Sequence, residues 1–158
     1  MKVNDYIKSF EDAEQFGRII FGSIMMSSGC TFEYTDHYDK IDVYWEYDGV
    51  ENVGEVKYRH NYDSTGRCIV DEGVLLEKKK YDELKSIQKR TGKIPWYVMI
   101  FQDNTILLFN LENLETVNWQ ESTRYGKTTM GDKTKIRKAV TYLPVESAEK
   151  IKFNLHLS

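Results

Sequence analysis

The stretch that decides the fold is I-D-V-Y-W-E-Y-D-G-V-E-N-V-G-E-V-K-Y-R, residues 41–59. It predicts two short strands rich in Val, Tyr and Trp, joined by Asp48-Gly49. Asp-Gly between alternating apolar residues is a strong hairpin signal, because both residues tolerate positive φ. A two-residue turn would pair Tyr47 with Val50 and fix the register of the whole hairpin.

Counted outward from that turn, the register places two carboxylates face to face, Asp42 on the first strand and Glu55 on the second. Directly opposed Cβ atoms lie about 4.5–5.5 Å apart, so two negative charges there repel unless a cation separates them. Lys57 follows Glu55 on the same strand face, because side chains alternate between faces along a strand. The hairpin therefore predicts a divalent cation site beside a lysine.

Length and composition fit one soluble domain over residues 1–158. The charged fraction of 30% and hydrophobic fraction of 41% are ordinary for a globular protein. No apolar run approaches the ~20 residues that span a bilayer, and the first residues lack the apolar core of a signal peptide. Two cysteines without metal-type spacing favour free thiols in a reducing cytosol, with a Cys30–Cys68 disulfide as the alternative. We therefore expect a cytoplasmic protein with no membrane partner.

The net charge of −3 conceals an asymmetry along the chain. Residues 1–56 hold four basic and twelve acidic side chains, whereas residues 57–158 hold eighteen basic and thirteen acidic ones. Two segments, 78–93 and 124–138, concentrate the positive charge. An acidic segment followed by basic ones suits a metal site that handles a polyanion. The alternative for either segment is a solvated helix face or charged loop.

Hydrophobic periodicity predicts a mixed succession of helices and strands. The predicted elements are a helix from Ser9 to Ser27, a strand at Cys30–Tyr34, the hairpin, a loop at His60–Asp71, a helix at Leu75–Thr91, a buried strand at Trp96–Phe101, a strand at 105–111, a polar loop at Gln120–Lys135 and a strand at Ala139–Val145. This order indicates an α/β fold with a central mixed β-sheet flanked by helices and a β-rich C-terminal extension.

The order of helix, acid-bearing hairpin, helix and buried strand resembles the PD-(D/E)XK nuclease superfamily, in particular its Holliday-junction-resolvase-like members. The matching residues are Asp42 in K-I-D-V-Y and Glu55-Val56-Lys57 in G-E-V-K-Y, with Glu14 in A-E-Q-F-G-R as the acid on the preceding helix. The resemblance covers about residues 9–111. Ile41 stands where the family has its proline, and Asp39 remains the alternative to Asp42.

The resemblance implies a restriction-endonuclease-like core and a metal-dependent endonuclease that hydrolyses DNA phosphodiester bonds, with branched or structured DNA as a candidate substrate. Mg²⁺ prefers oxygen ligands, so Asp42, Glu55 and the Val56 carbonyl would hold it, and Glu14 would bind a second ion directly or through water. Mn²⁺ would substitute for Mg²⁺. Lys57 would orient the attacking water and offset negative charge in the transition state.

The predicted DNA contacts lie in the basic C-terminal segment. They are Arg124, Lys127, Lys135 and Lys138, which stand among Ser and Thr donors and would contribute salt-dependent, largely sequence-independent affinity. Resolvase-like cleavage would require two active sites, which predicts a homodimer. The competing hypothesis is a non-catalytic nucleic-acid-binding or assembly module that keeps the nuclease fold, since the chain is acidic overall and lacks the proline.

Overall fold

The hairpin at Asp48-Gly49 forms as its sequence predicts. In the computed structural model, which describes residues 10–35, 43–59, 62–125 and 135–154, Asp48 and Gly49 have φ values of 50° and 79°. Tyr47 pairs with Val50, and the antiparallel register continues without a bulge to the pair of Val43 with Gly54. The predicted register is therefore confirmed over all the described pairs of this hairpin.

The described residues form three helices, nine strands and one 3₁₀ turn. In chain order these are α1 (Phe10–Ser27), β1 (Thr31–Tyr34), β2 (Val43–Tyr47), β3 (Val50–Arg59), α2 (Arg67–Glu72), β4 (Val74–Glu77), α3 (Lys78–Thr91), β5 (Ile94–Phe101), β6 (Thr105–Asn110), β7 (Gln120–Tyr125), β8 (Lys135–Leu143), the 3₁₀ turn (Val145–Ser147) and β9 (Glu149–Lys152).

The main sheet has six strands in the order β1-β2-β3-β5-β6-β9. β3 and β5 pair in parallel, and the other neighbours pair antiparallel. The parallel pair follows from the connection through α3, because parallel neighbours need a crossover. Strands β4, β8 and β7 form a second, antiparallel sheet. The predicted α/β class with a mixed central sheet is thus confirmed.

Two hydrophobic cores lie on opposite faces of the main sheet. On one face, α1 packs through Ala13 and Phe21 against Val56, Tyr58 and their neighbours. On the other face, α3 and the second sheet cover a core that includes Leu84, Leu76, Tyr97, Met99 and Phe101. β5 contributes alternate side chains to both cores, which explains its continuous apolar sequence and confirms it as a strand buried on both faces.

The prediction of one helix over Leu75–Thr91 is wrong at its start. Residues Val74–Glu77 form β4, which pairs with β8 from Val74 opposite Leu143 to Glu77 opposite Val140. Over four residues, an apolar pattern fits the periodicity of a helix as well as that of a strand. Pairing with the distant strand β8 decides that this segment is a strand. The predicted end is confirmed, because Gly92 adopts the left-handed conformation and donates its N–H to the Gln88 carbonyl.

The C-terminal segment contains more strand than predicted. Part of the expected polar loop, Gln120–Tyr125, is β7, and the strand expected at Ala139–Val145 begins at Lys135 and ends at Leu143 before Pro144. β7 and β8 pair along their length, from Gln120 opposite Val140 to Tyr125 opposite Lys135. Pairing between β7 and β8 therefore overrides the polar sequence of this segment.

A short helix, α2, lies inside the predicted 60–71 loop and runs one residue past the end of that predicted loop.

Two further sequence expectations can be compared with the described residues. None of the described helices is long and apolar enough to cross a membrane. Cys30 is a free thiol, and partial burial raises its pKa above the ordinary value. The side chain of Cys68 lies outside the described ones.

Asp103 anchors the loop after β3 to the turn between β5 and β6. Its Oδ2 accepts a hydrogen bond of 2.6 Å from the Ser64 hydroxyl and one of 3.2 Å from the Ser64 backbone N–H, and Lys152 lies 3.9 Å away. Burial alone would raise the pKa of Asp103, but the opposing interactions, chiefly the two Ser64 hydrogen bonds, outweigh it and hold the pKa below its ordinary value. The ionised carboxylate is therefore the form that the fold stabilises.

Replacing that carboxylate should cost stability in a pH-dependent way. A lowered folded-state pKa contributes stability above the unfolded pKa, and the contribution is lost as pH falls through the folded value. We expect Asp103→Ala to lower the free energy of unfolding by about 1 kcal/mol at neutral pH. Urea titrations across a pH series should show the difference shrink below the unfolded pKa. A pH-independent difference would contradict this account of Asp103.

Candidate functional site around Glu55

Glu55 is a charged residue inside the main sheet. Its strand, β3, lies between β2 and β5, and the residue is 1% exposed. Because side chains alternate, Val56 and Tyr58 face α1, whereas Glu55 and Lys57 face α3 and the second core. In the parallel register Glu55 lies beside Tyr97 of β5. The strand therefore delivers a carboxylate and an ammonium group to the same buried face, as predicted.

Two lysines from different elements contact the same oxygen of Glu55. Lys57 Nζ lies 3.2 Å from Glu55 Oε1, and Lys80 Nζ, from the first turn of α3, lies 3.3 Å from it. Lys80 Nζ is also 3.6 Å from Oε2 of Glu83, one turn further along α3. We call these four residues the Glu55 cluster. It contains two positive and two negative side chains.

Burial makes these contacts energetically necessary. An ionised carboxylate removed from water is costly unless it is paired, and the cost of breaking a buried pair is typically about 3–5 kcal/mol. The side chains of Lys57 and Lys80 are each 26% exposed, so their ammonium groups reach from the buried carboxylate toward solvent. The Glu55 cluster therefore links the interior of the sheet to the surface beside α3.

Tyr97 borders the cluster from the neighbouring strand. Its hydroxyl donates a hydrogen bond of 3.2 Å to the Leu75 carbonyl, which ties β5 to the start of β4. Burial raises the pKa of Tyr97; Arg59 and Lys57 lower it in part, and Glu55 adds to the increase. Tyr97 thus remains a neutral hydrogen-bond donor at neutral pH and holds the covering layer over the cluster.

Glu14 is not brought to the face that holds the Glu55 cluster. It is a half-buried residue of α1, next to Ala13 of the first core. On the same helix, a Cβ at Gly17 would contact the Cβ of Tyr58, so α1 lies close against the sheet face opposite Glu55. A role for Glu14 at the metal would require it to reach past the edge of the sheet, and that role stays a prediction.

The second predicted carboxylate, Asp42, lies outside the described residues, as does its alternative, Asp39. The described hairpin register ends at the pair of Val43 with Gly54, one step before these predicted partners. The prediction that Asp42 faces Glu55 therefore stays a prediction, although the turn that it was counted from is confirmed.

The donor atoms at β3 fit a hard divalent cation in kind. Mg²⁺ takes carboxylate, carbonyl and water oxygens, and β3 supplies the Glu55 carboxylate followed by the predicted Val56 carbonyl. Among the described residues, no three His, Cys, Asp or Glu side chains lie close enough together to hold a metal ion. Asp42 is the residue that the hairpin predicts as the second carboxylate of a Mg²⁺ site on β3, and that role stays a prediction.

The predicted DNA-contacting residues fall on the β7–β8 ribbon or beyond the described residues. Arg124 and Lys135 belong to β7 and β8, and Lys127 lies outside the described residues. Lys138 contacts Glu77 of β4 at 3.2 Å and joins β8 to β4, with 23% of its side chain exposed. Lys138 therefore has a structural role as well, and the described ends of this basic segment lie in strands β7 and β8.

The lysines of α3 divide into structural and exposed groups. Lys85 donates hydrogen bonds to the Leu111 and Glu112 carbonyls and contacts Glu115, so it fixes the loop after β6. Lys78 contacts Asp82 at 2.6 Å along the helix surface, and Lys79 is exposed. The interpretation of this segment as a simple solvent face is therefore wrong for Lys80 and Lys85.

Sequence reasoning missed Lys80 and Glu83. A signal existed, because Lys78, Lys79 and Lys80 open α3 where the helix dipole favours acids, and the first turn contains no acidic residue. A violation of a local rule often marks a functional position. The misplaced helix start, at Leu75 instead of Lys78, concealed it.

No protein-family model matches the chain, and no curated protein matches it.

Proposed function

We propose that this protein is a metal-dependent endonuclease that hydrolyses DNA phosphodiester bonds, with branched or structured DNA as the candidate substrate. The observation that carries the proposal is the pair of Glu55 and Lys57 on one face of a central strand, with the carboxylate 1% exposed and the ammonium 3.2 Å away. A buried acid next to a lysine on β3 stabilises the fold less than two apolar side chains at the same positions would. A catalytic role explains why a charged pair occupies these positions.

Each residue has a role in that reaction. A Mg²⁺ ion held at Glu55 would supply Lewis-acid stabilisation of the phosphate and would lower the pKa of the attacking water. Glu55, with Asp42 and the Val56 carbonyl, would hold it, and Lys57 would position the water and offset charge on the phosphate oxygens. Hydrolysis forms a bond from the water oxygen to phosphorus and breaks the bond to the leaving sugar oxygen. The attacking water gives one proton to solvent, and the leaving oxygen takes up one proton from solvent.

The substrate class follows from charge. The β7–β8 ribbon carries Arg124, Lys135 and Arg137. Neutralising phosphates releases counterions, so binding should weaken steeply with salt. Cleavage of a junction on both strands would require a homodimer, which we include in the proposal.

A cleavage panel tests the proposal. Purified protein should cut junction, flap or duplex DNA with Mg²⁺ or Mn²⁺ and should be inactive after chelation, with RNA versions of the same substrates as the comparison. Inactivity on every DNA substrate with either metal would contradict the proposed reaction.

A second function is favoured by a specific observation, the neutralisation of Glu55 by two lysines within the fold. A carboxylate that two lysines contact through one of its oxygens also suits a non-catalytic DNA-binding or assembly module. That protein would bind DNA with the same salt dependence but would show no cleavage, and millimolar Mg²⁺ would not raise its melting temperature.

A further inference from the structure

We propose that Lys80 is an internal counter-ion that competes with the divalent cation for Glu55 and transfers to Glu83 when the cation binds. This inference rests on the proposed metal-dependent function and concerns how the metal site is controlled. It assigns roles to two residues of α3 that the sequence motif does not include.

The geometry shows Lys80 between two carboxylates. Its ammonium lies 3.3 Å from Glu55 Oε1 and 3.6 Å from Glu83 Oε2. The Glu83 oxygen is buried and accepts no hydrogen bond from the described residues. A small movement of the flexible Lys80 side chain toward α3 would therefore exchange one carboxylate for the other. Glu83 offers a partner that is already in place.

Charge explains why the exchange accompanies cation binding. Lys57 and Lys80 both contact one oxygen of Glu55, so a divalent cation on that carboxylate would bring four positive charges together. Like charges at such distances repel strongly where solvent is largely excluded. At least one lysine must withdraw, and the one with a second carboxylate on its own helix is Lys80.

The position of Lys80 in α3 adds to this argument. It lies in the first turn, where the helix dipole is unfavourable to cations, and Lys78 and Lys79 precede it. Lys57, by contrast, extends from a central β strand beside Glu55, with Arg59 two residues further along the same face. A cation that binds Glu55 would therefore displace Lys80, which has the second carboxylate, Glu83, within reach.

Mn²⁺ binding to the intact protein without DNA tests the inference. Lys80→Met keeps the length of the side chain and removes its charge, and Lys79→Met is the matched control, because Lys79 is its exposed neighbour in the same helical turn. Titration calorimetry should show Mn²⁺ binding about tenfold tighter in Lys80→Met, as expected for removal of one close charge, and unchanged in Lys79→Met.

Substitution of Glu83 distinguishes a role as the acceptor of displaced Lys80 from a role as a ligand of the metal ion. Glu83→Gln should weaken Mn²⁺ binding in the wild-type background, because Lys80 then loses the second carboxylate to which it would transfer. In the Lys80→Met background the same substitution should have no further effect, whereas a metal ligand would show its full effect in both backgrounds. Thermal melts without metal would verify that every variant is folded.

The outcomes are distinct. If the wild type binds Mn²⁺ and Lys80→Met binds it equally well or more weakly, the counter-ion role of Lys80 is overturned. The proposed nuclease function would still stand. An additive effect of Glu83→Gln would overturn the transfer. Absence of Mn²⁺ binding in both the wild type and Lys80→Met would overturn this inference and the metal-dependent function together.

Discussion

Glu55→Gln is expected to reduce the rate of Mg²⁺-dependent DNA cleavage by roughly a hundred- to a thousandfold. The substitution keeps the shape of the side chain but removes the negative charge that would hold the cation between the hairpin strands. It also leaves Lys57 and Lys80 without their shared carboxylate, so the variant should melt at a lower temperature. Single-turnover cleavage rates, measured well below that melting temperature, provide the test.

The matched control is Glu51→Gln. Glu51 belongs to the same strand and the same sheet face as Glu55, but it is exposed and sits beside the turn. Its replacement changes the net charge identically and should leave cleavage unchanged. Equal rates for Glu55→Gln and the wild type would remove Glu55 from the reaction, and an equal loss in both variants would point to a general charge effect.

Gly73→Ala is expected to produce the largest loss of stability of any single methyl addition considered, about 3 kcal/mol or more. Gly73 joins α2 to β4 with φ 89° and ψ −171°, a conformation that is essentially restricted to glycine. A Cβ there would also overlap the carbonyl oxygen of Leu143, the residue that pairs with Val74 in the second sheet. Backbone strain at residue 73 and displacement of the Leu143 backbone both contribute to the expected loss of stability.

Gly92→Ala is the control for backbone strain alone. Gly92 also has a positive φ, of 77°, but a Cβ at this position would meet no atom within 4 Å. Its replacement should cost about 1 kcal/mol. Urea denaturation of the two variants gives the comparison, and similar losses would show that the approach of Gly73 to Leu143 contributes little.

Local sequence signals predicted the parts of the fold that depend on neighbouring residues. Asp48-Gly49 fixed the hairpin register, and Gly92 marked the end of α3, because both are turn positions with their own backbone requirements. β5 was recognisable because both of its faces are buried. Glu55 and Lys57 shared a face by strand alternation alone.

The parts that were missed depend on contacts between distant segments. β4 forms because Val74–Glu77 finds β8, more than sixty residues further along the chain, and β7 forms by pairing with the same strand. Lys80 could not be placed at Glu55 without the packing of α3 over the sheet. No periodic pattern in a single sequence specifies such pairings, since they are decided by tertiary contacts.

Anomalous X-ray scattering from crystals soaked in Mn²⁺ tests the metal site at Glu55 directly. We expect a peak within bonding distance of a Glu55 carboxylate oxygen in the wild type, with Lys80 withdrawn toward Glu83, and no peak there in Glu55→Gln. A wild-type crystal with no anomalous peak at Glu55, or with Mn²⁺ only at exposed carboxylates such as Glu46 and Glu51, would contradict the metal site at Glu55.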